Sequence, residues 1–386
     1  MNEKIIPFHK PFITEDEINE VVDSIRSGWW TIGPKTKKFE NDFGSYIGAK
    51  NSVSANSWTA SAHLALEAIG LKEGDEVIIP SITFTATAEV ICYFKATPVI
   101  VDVENGTFNI SVKAIEKAIT SKTKAIIPVH YGGQPCDMDE ISSIATKYQL
   151  KIVEDAAHAL PSTYKGRKIG TISDITCFSF YATKTLATGE GGMICTEDDD
   201  IAKRCSIMRL HGMSRDAWNR YTSEGSWYYE VVAPGYKYNM TDIQASLGIA
   251  QLKKIEKLYS MRKVIAEKYN EVFSNIEFLT TPLIKSDRET SWHLYPLLLE
   301  LDKLKISRSN FINMMKDKGI ICSVHFIPLY RHPYYRDTFH LKEENFPVSE
   351  KLYSAQTSLP IWPGMTQQEI DYVTSTVQSI CEENRR

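Results

Sequence analysis

Apolar and polar positions follow a repeating rhythm over roughly the first two hundred residues, with short apolar runs separated by stretches of helical spacing. Residues 76–79 predict a strand and 85–94 an amphipathic helix. Residues 97–102 predict a second strand and 111–119 a helix. A strand at 125–130, a helix at 137–148 and a strand at 151–155 continue the pattern. Alternation of this kind predicts an α/β fold with a mostly parallel sheet and helices on both of its faces. In open sheets of this type ligands gather beyond the carboxyl ends of the strands, so chemistry is to be sought just after each apolar run.

The second half reads differently. Helical spacing runs unbroken from 241 to 273, a predicted spine with Asp242 near its start. Beyond about residue 275, strands at 293–301 and 320–327 mix with helices at 309–318 and 366–380. The expectation is a large domain over 1–245 and a smaller α+β domain over 246–386. No internal repeat or low-complexity linker interrupts the 386 residues.

Composition narrows the function classes. Forty-four Lys and Arg stand against 48 Asp and Glu, a net charge of −4, so the basic excess of a nucleic-acid binder is missing. The acidic run 197–200 fits the first turn of a helix, where the dipole favours carboxylates. Seven cysteines, an odd number without a CxxC pair, argue against a disulfide framework or a zinc site. They fit a reducing cytoplasm. No signal-peptide stretch opens the chain, and no apolar run approaches the ~20 residues that span a bilayer. A soluble cytoplasmic protein with no metal and no membrane partner is expected.

Four strand ends carry suggestive groups. Residues 51–66 run from strand through a polar turn into a helix, where free amides and the Ser57 and Thr59 hydroxyls could cradle a phosphate or simply cap the helix. Neither GxGxxG nor GxxxxGK[ST] is present. Asp155 ends the strand 151–155, with His158 one turn on. A buried acid there needs a cation or several donors, or else caps the next segment. Lys184 lies in a glycine-rich connection between two apolar strands, where it is either a solvated turn lysine or, if buried, a nucleophile toward carbonyls. Phe84 sits just past the strand 76–79, as ligand platform or as core.

Each group alone is ambiguous; their order is not. Phosphate cradle, aromatic, strand-end Asp with His, then Ser179 and Lys184 five residues apart resemble the fold type I pyridoxal-phosphate enzymes. Over nearly its full length the chain resembles the DegT family of nucleotide-sugar aminotransferases. Residues 28–34, 74–81, 127–133, 154–158, 178–192 and 235–242 carry the resemblance. Within the family it is most similar to members of the UDP-4-amino-4-deoxy-L-arabinose aminotransferase type.

The resemblance implies a set of roles. Lys184 bears pyridoxal 5'-phosphate (PLP) as a Schiff base and shuttles the proton, with pyridoxamine 5'-phosphate (PMP) as the half-reaction form. Asp155 pairs with the pyridine nitrogen and His158 approaches the phenolic oxygen. Phe84 covers one ring face, and small Ala157 permits close approach on the other. Ser179, Thr59 and the amides around Trp58 hold the phosphate. Trp58 departs from the small residue more usual there, adding bulk beside the cradle. Asn239 matches a residue that reaches the phosphate from a neighbouring subunit, implying a homodimer with shared sites. Thr31 and His325 match positions near the sugar. The implied substrates are a nucleotide-linked keto-sugar, such as a 4-keto-6-deoxyhexose, and glutamate as amino donor, in surface-glycan or amino-sugar biosynthesis. Nucleotide, sugar and the C3 or C4 position stay open. Dehydratases on this fold carry histidine where this chain has Lys184. A cyclitol aminotransferase and a non-enzymatic sensor on the same fold are the other readings.

Overall fold

The computed structural model describes residues 5–214 and 228–386. Its centre is a seven-stranded sheet. In chain order the strands are β1 (Asn51–Ala55), β2 (Glu76–Pro80), β3 (Thr97–Val101), β4 (Thr123–Ile126), β5 (Lys151–Asp155), β6 (Ile175–Ser179) and β7 (Gly192–Thr196). Across the sheet they lie in the order β1-β7-β6-β5-β4-β2-β3. Only β7 opposes its neighbours, pairing antiparallel with β1 and β6, while β6, β5, β4, β2 and β3 pair in parallel. Both faces are covered, so strand residues alternate between two separate cores. Val77, Ile79, Val153 and Cys177 enter one core, which includes helix residues of Trp58–Ala68 and Asp199–Met208. Ile78, Ile152 and Phe178 enter the other, with Phe39, Phe43, Met138 and Ile249. The acidic run does form a helix start: Asp198 caps Asp199–Met208 by accepting from the Asp200 and Ile201 amides.

A third core gathers the C-terminal part. Tyr295–Leu299 pairs antiparallel with Leu279–Thr280 and Gln356–Leu359. Helices Ile255–Phe273 and Gln367–Glu383 pack on it through Ile265, Tyr269, Phe273, Val373 and Val377. Ile6, near the start of the chain, joins this core and bridges Ile320.

Three elements differ from the reading of the sequence. The spine expected over 241–273 is two helices, Asp242–Leu252 and Ile255–Phe273, interrupted at Lys253 and Lys254. Lys254 leaves helical geometry while its amine reaches Glu17 at 2.5 Å and the Thr14 hydroxyl at 2.6 Å. Apolar periodicity persists across the break, which is why spacing alone does not register it. The strand expected at 320–327 is reduced to isolated bridges at Ile320 and Ser323, after which the backbone turns inward at His325 and Phe326. The strand expected at 125–130 is β4, ending at Ile126; beyond it Val129 bridges Asp155 and the His130 amide donates to the Asp155 carbonyl.

Two buried charges tie distant segments together. Helix Pro34–Ile47 starts after Gly33, which has no side chain to cap it. Asp242 supplies the cap from two hundred residues on: its carboxylate accepts from Lys35 N (3.0 Å), Thr36 N (2.9 Å) and Thr36 Oγ1 (2.6 Å). The Asp242 amide donates to the Thr31 carbonyl at 3.0 Å. Residues 28–34 and 235–242 are thereby parts of one junction. The Arg209 guanidinium, 4% exposed, donates to Glu40 and to the Ser54 carbonyl, joining a helix, β1 and the end of Asp199–Met208. Among the described residues no helix is long and apolar enough to cross a membrane.

Substituting Arg209→Met leaves the buried Glu40 carboxylate with only the exposed Lys37 amine, 3.7 Å away, as a counter-ion, and losing the buried partner of such a pair costs about 3–5 kcal/mol. Urea unfolding should show that loss; a midpoint equal to that of the native chain would contradict the assigned role.

Candidate active site

The site forms at the carboxyl ends of β2, β5 and β6, where parallel sheets present ligand positions. Asp155 closes β5 and is buried, with 5% exposure. Its Oδ1 accepts from the Ala157 amide (3.1 Å) and its Oδ2 from the Thr87 hydroxyl (3.0 Å). Thr87 is in turn 2.8 Å from the Thr83 hydroxyl, so a short relay of donors stands behind the acid. No cation pairs with it by hydrogen bond among the described residues. Burial raises its pKa to about 6, against the bonds from Ala157 and Thr87 and the nearby Lys184 charge, which lower it.

Lys184 follows β6 in a tight turn, its amide donating to the Tyr181 carbonyl at 2.9 Å. Its Nζ lies 3.5 Å from His293 Nε2 and makes no ion pair with a carboxylate among the described residues. Burial lowers the amine to about 8, while Asp155 raises it and Arg262 lowers it further. A desolvated amine with this poise is a nucleophile near neutral pH.

Four imidazoles lie around the amine, those of His9, His158, His293 and His325. The His158 ring lies tilted against His293 with centroids 4.4 Å apart and stacks with Phe326 at 5.9 Å. Burial pushes both histidines well below the usual range, so they are neutral. The Gly132 amide donates to His158 Nδ1 at 3.2 Å, which makes Nδ1 the acceptor and leaves the proton on Nε2. That bond depends on the backbone at 132–133. Both glycines have positive φ, and a Cβ on Gly133 would lie 2.0 Å from Ser291 Oγ. His325 is lowered to about 3 by burial and then by the Lys184 charge; its Nδ1 is 3.0 Å from Ser358 Oγ, and its ring stacks on Phe8.

The helix start expected to cradle a phosphate lies beside β7. Ser57 Oγ accepts from the Ala60 amide (3.0 Å) and the Ser57 carbonyl accepts from Ser61 (3.1 Å). The first two helical amides, those of Trp58 and Thr59, have no acceptor within the helix. The Trp58 indole turns away into the core, donating to the Cys177 carbonyl at 3.1 Å, so its bulk does not fill the cradle. Gly192 of β7 allows this approach: a Cβ there would lie 2.4 Å from the Ser57 carbonyl oxygen. Ser179 ends β6, its hydroxyl accepting from the Tyr181 amide at 3.3 Å. Phe84 is 58% exposed beside Phe326, and Ala157 is half-buried next to Asp155.

Asp155, Ala157, His158 and Lys184 thus come together, and His325 joins them. Asn239 does not join them within one chain: it is buried, its side-chain amide donating to the Met240 carbonyl at 3.2 Å. Thr31 is exposed, at the Asp242 junction. Sequence reasoning missed Thr87, His293 and Arg262. Thr87, one helical turn past Phe84, carried a weak signal; His293 and Arg262 carried none, because only tertiary packing brings them to Lys184.

The residues suit PLP. A buried carboxylate with lone pairs to spare matches a protonated ring nitrogen, a buried amine matches its aldehyde, and a helix start whose Trp58 and Thr59 amides lack helical acceptors matches its phosphate. Residues 11–378 match the DegT/DnrJ/EryC1/StrS aminotransferase family. A protein of Methanocaldococcus jannaschii, uncharacterized protein MJ1066, is 55% identical over 385 residues, all of both chains. Spore coat polysaccharide biosynthesis protein SpsC of Bacillus subtilis is 47% identical over 376 residues, 97% of each. The putative sugar aminotransferase Spr1654 from Streptococcus pneumoniae has been solved in PMP and PLP forms. Both superpose with a TM-score of 0.92, at 37% and 36% identity, over 98% of this chain and 99% of theirs. The chain belongs to the DegT/DnrJ/EryC1/StrS aminotransferase family.

Proposed function

We propose that this PLP-dependent sugar aminotransferase moves an amino group from glutamate to the keto carbon of a nucleotide-linked sugar, with Lys184 as the residue that carries the cofactor. The observation that carries the reading is the meeting of a buried, uncompensated Lys184 amine with the buried Asp155 carboxylate at the carboxyl edge of the sheet. Amino-sugar and polysaccharide biosynthesis is the setting supported by the relative of the spore-coat pathway.

When bound, PLP supplies the electron sink for carbanion chemistry. The protein supplies everything else. Asp155 holds a proton on the ring nitrogen, and the Thr87 and Ala157 donors keep the carboxylate oriented for it. His158 would offer its Nε2 proton to the phenolic oxygen. The Trp58 and Thr59 amides with the Thr59 and Ser179 hydroxyls would hold the phosphate, and Phe84 and Ala157 would bind the ring. The Lys184 amine would move the substrate proton, taking it at Nζ as general base and returning it as general acid. Thr31 and His325 are assigned to the sugar side. Asn239 is assigned to the site of a second chain in a homodimer. A lysine at 184 fits amino transfer rather than dehydration.

Purified protein mixed with PLP should turn yellow, and Lys184→Ala should abolish both the visible band and transaminase turnover. Full activity in that variant overturns the reading. Adding UDP-, dTDP- or GDP-linked keto-sugars to the PMP form should restore the PLP spectrum. Restoration by keto-inositol alone would instead identify a cyclitol aminotransferase, and restoration by no ketone would favour a sensor.

A second expectation concerns pH. In cofactor-free protein the folded Asp155 keeps its proton up to about pH 6, whereas an unfolded chain releases it near 3.9. Between those values the folded state binds more protons, so stability falls as pH rises, by about 2–3 kcal/mol in total. Asp155→Asn should remove that fall in denaturation curves taken from pH 4 to 6.5; parallel curves for the two proteins would refute it.

A further inference from the structure

Arg262, on helix Ile255–Phe273, is 1% exposed and heads the fully buried side chains by size. Its Nη1 donates to the carbonyls of Ile361 (2.8 Å), His293 (3.3 Å) and Trp292 (3.4 Å), and its Nη2 to the Thr183 carbonyl (3.5 Å). Nε has no partner, and among the described residues no carboxylate answers the charge. An uncompensated buried cation is costly, and an aliphatic side chain would fill the same space without that cost. The carbonyls it holds are not scattered. Thr183 is bonded directly to Lys184, and His293 is the residue whose imidazole meets the Lys184 amine at 3.5 Å. One rigid, planar fork therefore holds the backbone on both sides of that contact.

We propose that Arg262 is the positioning residue of Lys184, gripping the chain at Thr183 and at His293 so that the reacting amine stays aimed at the cofactor. The proposal rests on Lys184 being the cofactor lysine. Arg262 also acts by charge. The groups facing the amine are Asp155 at the end of β5, His158 beyond it, His293 and His325 from the C-terminal part, His9 from the N-terminal segment, and Arg262. The four imidazoles are all held neutral by burial, His9 at about 4. Asp155 and Arg262 are thus the charges that act on Lys184, in opposite senses. A lysine at 262 would keep the charge but lose the fork, and a glutamine would lose the charge.

The test uses the full-length apoprotein, native and with Arg262→Lys or Arg262→Gln, after unfolding curves confirm each fold. Each is mixed with PLP, and the rate at which the visible band appears is followed from pH 6.5 to 10. In the native protein the rate should rise through about pH 8 to a plateau. Arg262→Gln should move the midpoint up by at least about half a pH unit, which is about threefold in rate at pH 7, and lower the plateau. Arg262→Lys should keep the midpoint and lower the plateau. Plateaus equal to the native one in both variants overturn the positioning role, as do equal losses with an unmoved midpoint, which mark packing alone. Should the glutamine variant fail to fold, a native plateau in Arg262→Lys still overturns it. No band in the native protein overturns the reading of Lys184 itself, whereas a native band untouched by either variant overturns only the role of Arg262.

Discussion

The removal of an amine and a carboxylate from water, close to each other but without direct pairing, is the condition on which the site depends. Each is shifted toward its neutral form by burial, and each partly offsets the other's shift. A tight ion pair would have satisfied both and left neither available. Here the acid is held instead by a hydroxyl and an amide, and the amine by an imidazole. The fold has to maintain these weaker arrangements against the pull of the stronger one.

It does so through the sheet and through long-range pins. The parallel strands deliver Asp155 and Ser179 to one edge, with β7 pressed against the start of Trp58–Ala68 through Gly192. From the other side, residues 290–293 and 323–326 are brought in by the C-terminal core, whose helix carries Arg262. Asp242 holds the beginning of Pro34–Ile47 to the beginning of its own helix, so two segments two hundred residues apart are fixed by a single carboxylate. The energetic logic is the same in each case: a buried charge is tolerated because it unites backbone groups that would otherwise lack partners.

Much of this was legible in the sequence, for a physical reason. Parallel strands buried on both faces must be apolar throughout, so residues such as Val77-Ile78-Ile79 stand out. Helix starts announce themselves through capping residues such as Ser111 and Thr366. Asp155, His158 and Lys184 were legible because each ends or follows a strand. The break at Lys253–Lys254 was not, since two helices packed into different cores can share one periodicity. Nor were His293 and Arg262, which reach Lys184 from 109 residues away by the Nζ–Nε2 contact and from 79 by the bond to the Thr183 carbonyl. Local patterns record what a residue does for its own element, not what it does for another.

Trp58 shows where such patterns mislead in the opposite direction. Its indole is spent on the carbonyl of Cys177, inside the sheet, while its main chain faces the cradle. The main-chain surface at position 58 is therefore the same whatever side chain the codon specifies, provided that side chain can be stowed inward. Bulk at this position is a fact about how the interior is filled, and side-chain size there carries no information about what the main chain can bind.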